Sequence, residues 1–168
     1  MIIRQEMPKD YKEVYTLTKT AFAEMEHADG TEQDLVERLR TCAAFIPALS
    51  LVAEIGGHIV GHIMFTKITI GGTDALCLAP LSVLPEFQHQ GIGGALIRNG
   101  HEIAQSLGYG VCVLIGHKDY YPRFGYEIAS KYGITLPFEA PDDCVMVKFL
   151  SDEGKSVTGV AVFPPEFY

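Results

Sequence analysis

The sequence predicts a mixed α/β (α+β) domain: one central sheet, mostly antiparallel, with helices on both of its faces. Three observations carry this. Long apolar runs are joined by Gly56-Gly57 and Gly71-Gly72, which reads as a meander of antiparallel strands. A glycine-rich bend, Gly91-Ile92-Gly93-Gly94, leads from a strand into a segment whose apolar residues recur at helical spacing. Two further helical segments separate the first strand from the meander, so strands and helices are interleaved as layers on a sheet require. With 168 residues, 48% of them hydrophobic and 10% aromatic, the chain suits one domain with a real core. Residues 1–168 are expected to form it, because no repeat, low-complexity linker or shift in composition marks a second.

Taken in order, residues 1–6 read as a strand. Pro8 suits the first turn of a helix running to about Ala23, with Val14, Leu17, Ala21 and Phe22 facing inward. A polar loop, residues 23–30, carries Glu24, Glu26, His27 and Asp29. A second helix over residues 32–42 places Leu35, Val36 and Leu39 at helical spacing. Residues 49–55, 58–70 and 74–83 form the meander. The helix after the glycine bend has a stripe of Ile92, Ala95, Leu96, Ile103, Ala104 and Leu107, interrupted by Gly100 at a cost of about 1 kcal/mol relative to alanine. Residues 110–115 form a buried strand and residues 119–124 a short helical turn. Further strands follow at residues 126–136 and 145–150. The last, residues 157–163, closes a hairpin with its predecessor through Asp152-Glu153-Gly154.

Composition excludes several classes. A net charge of −8 disfavours binding to nucleic-acid phosphates and leaves a cationic amine as a reasonable substrate. No targeting segment or membrane-length apolar run is visible, so a soluble cytoplasmic protein without membrane partners is expected. Cys42, Cys77, Cys112 and Cys144 are widely separated, which suggests neither a metal site nor a disulfide framework. His58 and His62 share a strand face by period-two counting, but further ligands are lacking and no metal is expected.

The glycine bend carries the chemistry. A helix start leaves backbone amides unpaired and partially positive, and residues without a Cβ let an anion approach them. Gln88, His89 and Gln90 add side-chain donors beside Gly91, Ile92, Gly93, Gly94 and Ala95. The spacing GxxxxGK[ST] of a P-loop is absent, and GxGxxG fails because the sixth position is Leu96. A tight strand-to-helix turn would use the same glycines.

What remains, Gln88-x-x-Gly91-x-Gly93 after a strand ending near Pro85, resembles the acyl-CoA loop of the GCN5-related N-acetyltransferase (GNAT) family. The resemblance extends along the chain. Leu49-Val52-Ala53-Glu54 with Ile59-Val60-Gly61 is similar to the family's second and third strands, Leu81-Ser82-Val83 with Pro85 to its fourth, and Tyr121 with Gly125-Tyr126 to its Tyr-x-x-x-Gly-Phe segment. Glu32, Leu35, Val36, Ala79-Pro80-Leu81, the segment Tyr120-Tyr121-Pro122-Arg123-Phe124-Gly125 and a closing hairpin resemble a bacterial subfamily of predicted acetyltransferases.

The family resemblance implies a GNAT-like acyl-CoA N-acyltransferase fold in which the fourth and fifth strands splay apart. Pro80, which lacks a ladder donor, would be tolerable at such a bulge. Backbone groups of Leu81 and Val83 would then pair with the pantetheine arm of acetyl-CoA. An amide near Leu81 or Ser82 would face the thioester carbonyl and stabilise its oxyanion. The reaction implied is direct acetyl transfer to an amine of a small molecule, amino acid or protein, without metal. No cysteine sits beside a histidine with a catalytic signature, which speaks against a cysteine-linked intermediate.

The family commonly places a tyrosine at the position of Tyr121 to protonate the leaving sulfur; packing at a helix start is the other account of it. Tyr120 and Asp119 read as local structure, and Arg123 either meets the cofactor or pairs with an acid. For the base, Glu26, Glu24 and His27 are candidates because the family's loop there borders the acceptor site. His89 and Gln90 stand where basic residues are often found, so amide dipoles would do most of the diphosphate binding. A catalytically silent CoA-binding module is the alternative class. Edge strands near the C-terminus are compatible with a homodimer.

Overall fold

The computed structural model describes residues 1–26 and 28–168, and His27 lies outside them. β1 (Ile2–Gln5) is followed by a short turn whose Pro8 sits at its first position, then by α1 (Tyr11–Phe22) and α2 (Glu32–Arg40). The meander is β2 (Phe45–Ile55), β3 (His58–Ile70) and β4 (Thr73–Val83). α3 (Ile92–Ser106), β5 (Val111–Ile115), β6 (Glu127–Ile128), β7 (Ile134–Thr135), β8 (Val145–Phe149) and β9 (Gly159–Val162) complete the chain. The sheet order is β1-β2-β3-β4-β5-β8-β6, antiparallel except between β4 and β5.

Each face of the sheet has its own core, as the period-two alternation of strands requires. Leu51, Ala53, Ile63, Phe65, Leu76, Leu78, Cys112 and Leu114 pack against Ile92, Leu96, Ile97 and Ala104 of α3. On the other face, Val52, Ile59 and Met64 meet Val14, Leu17, Val36 and Leu39 of α1 and α2. Farther along that face Cys77, Val111, Val113, Val145 and Val147 form a third cluster with Ile134 and Ala161.

A buried polar network pins the α2 side. Arg40 donates to both carboxylate oxygens of Glu6 at 3.1 and 2.6 Å, Ser50 Oγ donates to Glu6 Oε1 at 2.8 Å, and His62 Nε2 lies 3.0 Å from Ser50 Oγ. Because the Ser50 proton is committed to Glu6, the Nε2–H of a neutral His62 is the donor to Ser50. Burial holds His62 down at about 4, with the Glu6 carboxylate opposing and the Arg40 guanidinium reinforcing the shift.

The expectations fail in four places, all tertiary. β2 begins at Phe45 rather than near Leu49, since a register shift between Phe45 and Ser50 accommodates Pro47, which has no amide to give. The segment expected as one strand over residues 126–136 is two short strands broken by a helical turn at Ala129–Tyr132. The closing hairpin does not form. The outer edge of β8 is taken by β6, so β9 pairs instead with Thr69 and Ile70 of β3 and, in parallel, with β7. On α3, Leu107 is exposed, and the buried stripe runs through Ile97, Gly100 and His101 instead.

Candidate active site at the β4–β5 opening

β4 and β5 are paired at only two positions, Leu76 with Cys112 and Cys77 with Val113. Beyond them β4 continues to Val83 alone, and β5 turns toward β8. The splay expected of the fourth and fifth strands is therefore present, and it begins at Leu78. A register shift between Ile63 and Phe65, opposite Ala79 and Pro80, accommodates the proline there.

The ladder decides which backbone groups face the opening. Ser82 pairs with His62, and the Leu84 amide donates to the Val60 carbonyl at 2.9 Å. By the alternation of an antiparallel pair, Ser82 turns its amide and carbonyl to β3, whereas Leu81 and Val83 turn theirs toward the gap. Of the two amides left open by sequence for an oxyanion, that of Leu81 faces the opening. The Val83 carbonyl is already occupied by the Gln88 side chain, which donates to it at 3.1 Å.

At the end of this strand the loop delivers the start of α3. Gly91 caps it in the left-handed region at φ 82, which costs glycine little, and His89 sits there too, at φ 62. The Ala95 amide donates to the Gly91 carbonyl at 3.0 Å, so the first helical bond consumes it. The amides of Gly91, Ile92, Gly93 and Gly94 precede that bond and point out of the helix end. Gln90, like Gln88, spends its side chain on the loop itself, donating to the Glu86 carbonyl at 3.2 Å. Both glutamines brace the loop in this state, leaving the glycine amides as its anion-facing donors.

An aromatic wall closes the other side. A Cβ at Gly93 would stand 2.6 Å from the Tyr120 hydroxyl, and one at Gly94 would stand 3.0 Å from the Phe124 ring, so both glycines admit these rings. Tyr121 lies against Gly116, just past β5, and packs edge-on to Tyr120 and Tyr126 at centroid distances of 5.0 and 5.9 Å. Among the described residues neither the Tyr120 nor the Tyr121 hydroxyl has a hydrogen-bond partner in the protein. Burial pushes the Tyr121 phenol well above its ordinary value, with smaller contributions from Tyr120, Cys112 and Cys77. Tyr120 is raised too, by burial, against the pull of Arg123 and Arg98.

Two guanidinium groups flank the wall. Arg123 lies 4.9 Å from the centroid of Tyr120 and Arg98 5.8 Å from that of Phe124. Sequence reasoning missed Arg98 and set Tyr120 aside as local structure. Behind the wall, Tyr126 donates to Cys112 Sγ at 3.3 Å and contacts His101 Nε2 at 2.8 Å.

The α1–α2 loop holds the other candidates. Glu24 and Glu26 are exposed and make no hydrogen bond or ion pair among the described residues. Asp29 and Glu32 are spent locally: Thr31 donates to Asp29, and the Asp29 and Gly30 amides donate to Glu32 at 3.0 and 3.2 Å. A cavity of about 370 Å³ at this loop is lined by Lys19, Phe22, Gln33 and their neighbours, without Glu26. His58 is exposed and His62 buried, and no metal-binding group of three or more His, Cys, Asp or Glu residues assembles among the described residues. No helix there is long and apolar enough to cross a membrane.

Residues 47–128, which span the meander, the opening and α3, match the family model described as Acetyltransferase (GNAT) domain. The chain is 40% identical over 136 residues to the uncharacterized N-acetyltransferase YjhQ of Escherichia coli K12, covering 76% of this chain and 75% of the relative. It is 26% identical over 170 residues to YhbS of the same strain, also an uncharacterized N-acetyltransferase, covering 99% and 98% of the two. The crystal structure of YhbS in complex with CoA superposes with a TM-score of 0.90 at 27% identity over 99% of this chain and 91% of that one. A GNAT family acetyltransferase from Brucella melitensis in complex with acetyl-CoA gives 0.83 at 32% identity over 99% and 97%.

Proposed function

The chain belongs to the GNAT family of acetyltransferases, and from that premise we propose that it moves an acetyl group from acetyl-CoA directly to an amine at the β4–β5 opening. The observation that carries this reading is the junction of an uncommitted helix start with a strand whose backbone has lost its neighbour. The relatives solved with CoA and acetyl-CoA support the cosubstrate, and the two curated relatives, both N-acetyltransferases, support the enzyme over a silent CoA-binding module.

The diphosphate sits on the amides of Gly91, Ile92, Gly93 and Gly94, where the helix dipole adds to the hydrogen bonds. Arg98 and Arg123 supply the formal charge that His89 and Gln90 do not. The pantetheine arm lies along Leu81 and Val83, taking the ladder position that β5 vacates, with Ser82 facing away into β3. The Leu81 amide donates to the thioester oxygen and holds the oxyanion as the tetrahedral intermediate forms.

The amine lone pair attacks the carbonyl carbon, the carbon–sulfur bond breaks, and the thiolate leaves. Tyr121, fully protonated at neutral pH, first donates a hydrogen bond to the sulfur as charge gathers there and then its proton. The amine must arrive neutral. An alkylammonium with pKa about 10.4 lies about 3.4 units from that form at pH 7, a cost of about 4.6 kcal/mol unless a base assists. Glu26, through water, is the proposed base, with Glu24 as its neighbour on the same loop.

The test is release of free thiol from acetyl-CoA across a broad amine panel, with Tyr121→Phe as control. Acceptor-dependent release that collapses in the variant is the expected result. Release no faster than hydrolysis with every acceptor, although acetyl-CoA raises the melting temperature, would revive the silent module. The Tyr120 hydroxyl against Gly93 supports a second assignment of the acid, which Tyr120→Phe distinguishes.

A further inference from the structure

The acid assigned above has no hydrogen bond of its own. Among the described residues nothing in the protein meets the Tyr121 hydroxyl, so the direction in which it points is set by what its ring rests on. Three neighbours hold that ring. Gly116 admits it, since a Cβ there would fall on the ring edge, while Tyr120 and Tyr126 meet it edge-on at 5.0 and 5.9 Å between centroids. Tyr120 is partly exposed and its own hydroxyl is free, so it does not fix a neighbour by itself.

Tyr126 is placed to do so. It is 2% exposed, and two other elements hold its hydroxyl at once: it donates to Cys112 Sγ on β5 at 3.3 Å and lies 2.8 Å from His101 Nε2 on α3. His101 is itself confined, buried and edge-on to the Phe65 ring at 6.1 Å. Cys112 belongs to one of the two pairs that still join β5 to β4. The three side chains therefore tie α3 and β5 to the chain just after the Tyr121–Phe124 turn.

None of the three is charged at neutral pH. Burial, reinforced by Lys148, holds His101 at about 4, and burial pushes the Cys112 thiol up to about 12 and the Tyr126 phenol well above its ordinary value. Such an array is no reservoir of protons. Satisfied neutral hydrogen bonds in a dry core give fixed placement without a charge to desolvate.

We infer that Tyr126, braced by His101 and Cys112, is a positioning residue that aims the Tyr121 hydroxyl at the leaving sulfur. This rests on the acetyl-transfer reading above and on Tyr121 as its acid. As the carbon–sulfur bond breaks, the proton that reaches sulfur leaves Tyr121 and is replaced from solvent, while Tyr126 and His101 keep theirs.

Tyr126→Phe keeps the ring and removes both hydrogen bonds. In thiol-release assays its kcat should fall about tenfold with the KM for acetyl-CoA within about twofold, because misplacement of a reacting group costs rate rather than binding. In the Tyr121→Phe background the same substitution should change kcat by less than about twofold, since the group it aims is gone. His101→Leu should repeat the loss, and His101→Gln, which offers the Tyr126 hydroxyl a polar partner again, should recover most of it. A Tyr126→Phe rate within about twofold of the parent, or a loss of the same size with and without the Tyr121 hydroxyl, would overturn the inference. If Tyr126→Phe does not fold, the His101 pair decides: equal rates for Leu and Gln overturn it. Where no amine is turned over, hydrolysis of acetyl-CoA expels the same thiolate and gives the readout. An unchanged rate in Tyr121→Phe removes the acid and this inference with it, whereas a thermal shift with acetyl-CoA in that variant spares the cofactor site.

Discussion

Tyr121 and Tyr120 are adjacent in sequence, yet the fold gives their hydroxyls different neighbourhoods. Tyr121 rests on Gly116 at the end of β5, and Tyr120 reaches Gly93 at the helix start. If Tyr121 donates to the leaving thiolate, Tyr121→Phe should lower kcat by about 10²- to 10⁴-fold, the usual range for a positioned acid. Acetyl-CoA affinity should stay within about twofold, and Tyr120→Phe should retain most of kcat; isothermal titration and steady-state rates on both variants check this. A Cβ at Gly93, by contrast, would stand 2.6 Å from the Tyr120 hydroxyl, on the surface that presents the amides. Gly93→Ala should thus raise the acetyl-CoA dissociation constant about tenfold while the protein melts cooperatively, readable as a ligand-induced thermal shift reduced to about half at the same acetyl-CoA concentration. Tyr121 could be singled out in the sequence because a short motif marks its position. Arg98 could not, because only folding brings it beside Phe124, and the commitment of Gln88 and Gln90 to the Val83 and Glu86 carbonyls is equally a product of the loop's closed geometry.

The central elements were readable because their signals are local. Glycine pairs set the turns of β2, β3 and β4, and a helical stripe on α3 needs no distant partner to be seen. The C-terminal third was misread for the opposite reason: whether β9 pairs with β8 or β3 depends on which edge remains free, and that is decided by β6. Gly100 shows the two levels in conflict. Read as an element, α3 should gain about 1 kcal/mol from Gly100→Ala. In the fold, however, a Cβ there would fall directly on the Phe65 ring, which is fully buried between α3 and the sheet and sits edge-on to His101. Overpacking of this kind costs typically about 1–3 kcal/mol, so the variant should be destabilised on balance. Urea unfolding at neutral pH gives the sign directly, and a stabilised variant would show that Phe65 has room to move.

Across the whole molecule, both faces of the sheet bury a histidine that folding keeps neutral. His62 lies under α1 and α2 against Ser50, Glu6 and Arg40, and burial holds it at about 4. His101 lies on α3 against Tyr126, held at about 4 by burial and then by Lys148. Above pH 6.5 the folded and unfolded chains carry the same charge at these sites, and stability is independent of pH through them. Between 6.5 and 4 the unfolded chain takes up protons that the folded chain refuses, so stability falls as pH falls through that window and levels out below it. For His62 alone the loss is about 3 kcal/mol, at about 1.4 kcal/mol for each tenfold change in proton affinity between the two states. Asp10, held below its ordinary value by Arg4, contributes in the lower window, where its stabilisation is lost only as pH drops under 3.8. Urea unfolding at pH 7, 5.5 and 4.5 should therefore show a decline that sets in before the carboxylates titrate. His62→Gln keeps an amide donor for Ser50 and removes one of the two titrating groups, so it should about halve the decline, His101 supplying the rest, even if it lowers stability at pH 7. An unchanged slope in that variant would mean that the loss of stability in mild acid comes from elsewhere. Acetyl-CoA at about 100 times its dissociation constant adds about 2.7 kcal/mol, comparable to what His62 loses. With its cosubstrate bound, the folded chain should persist into mild acid that unfolds the free protein.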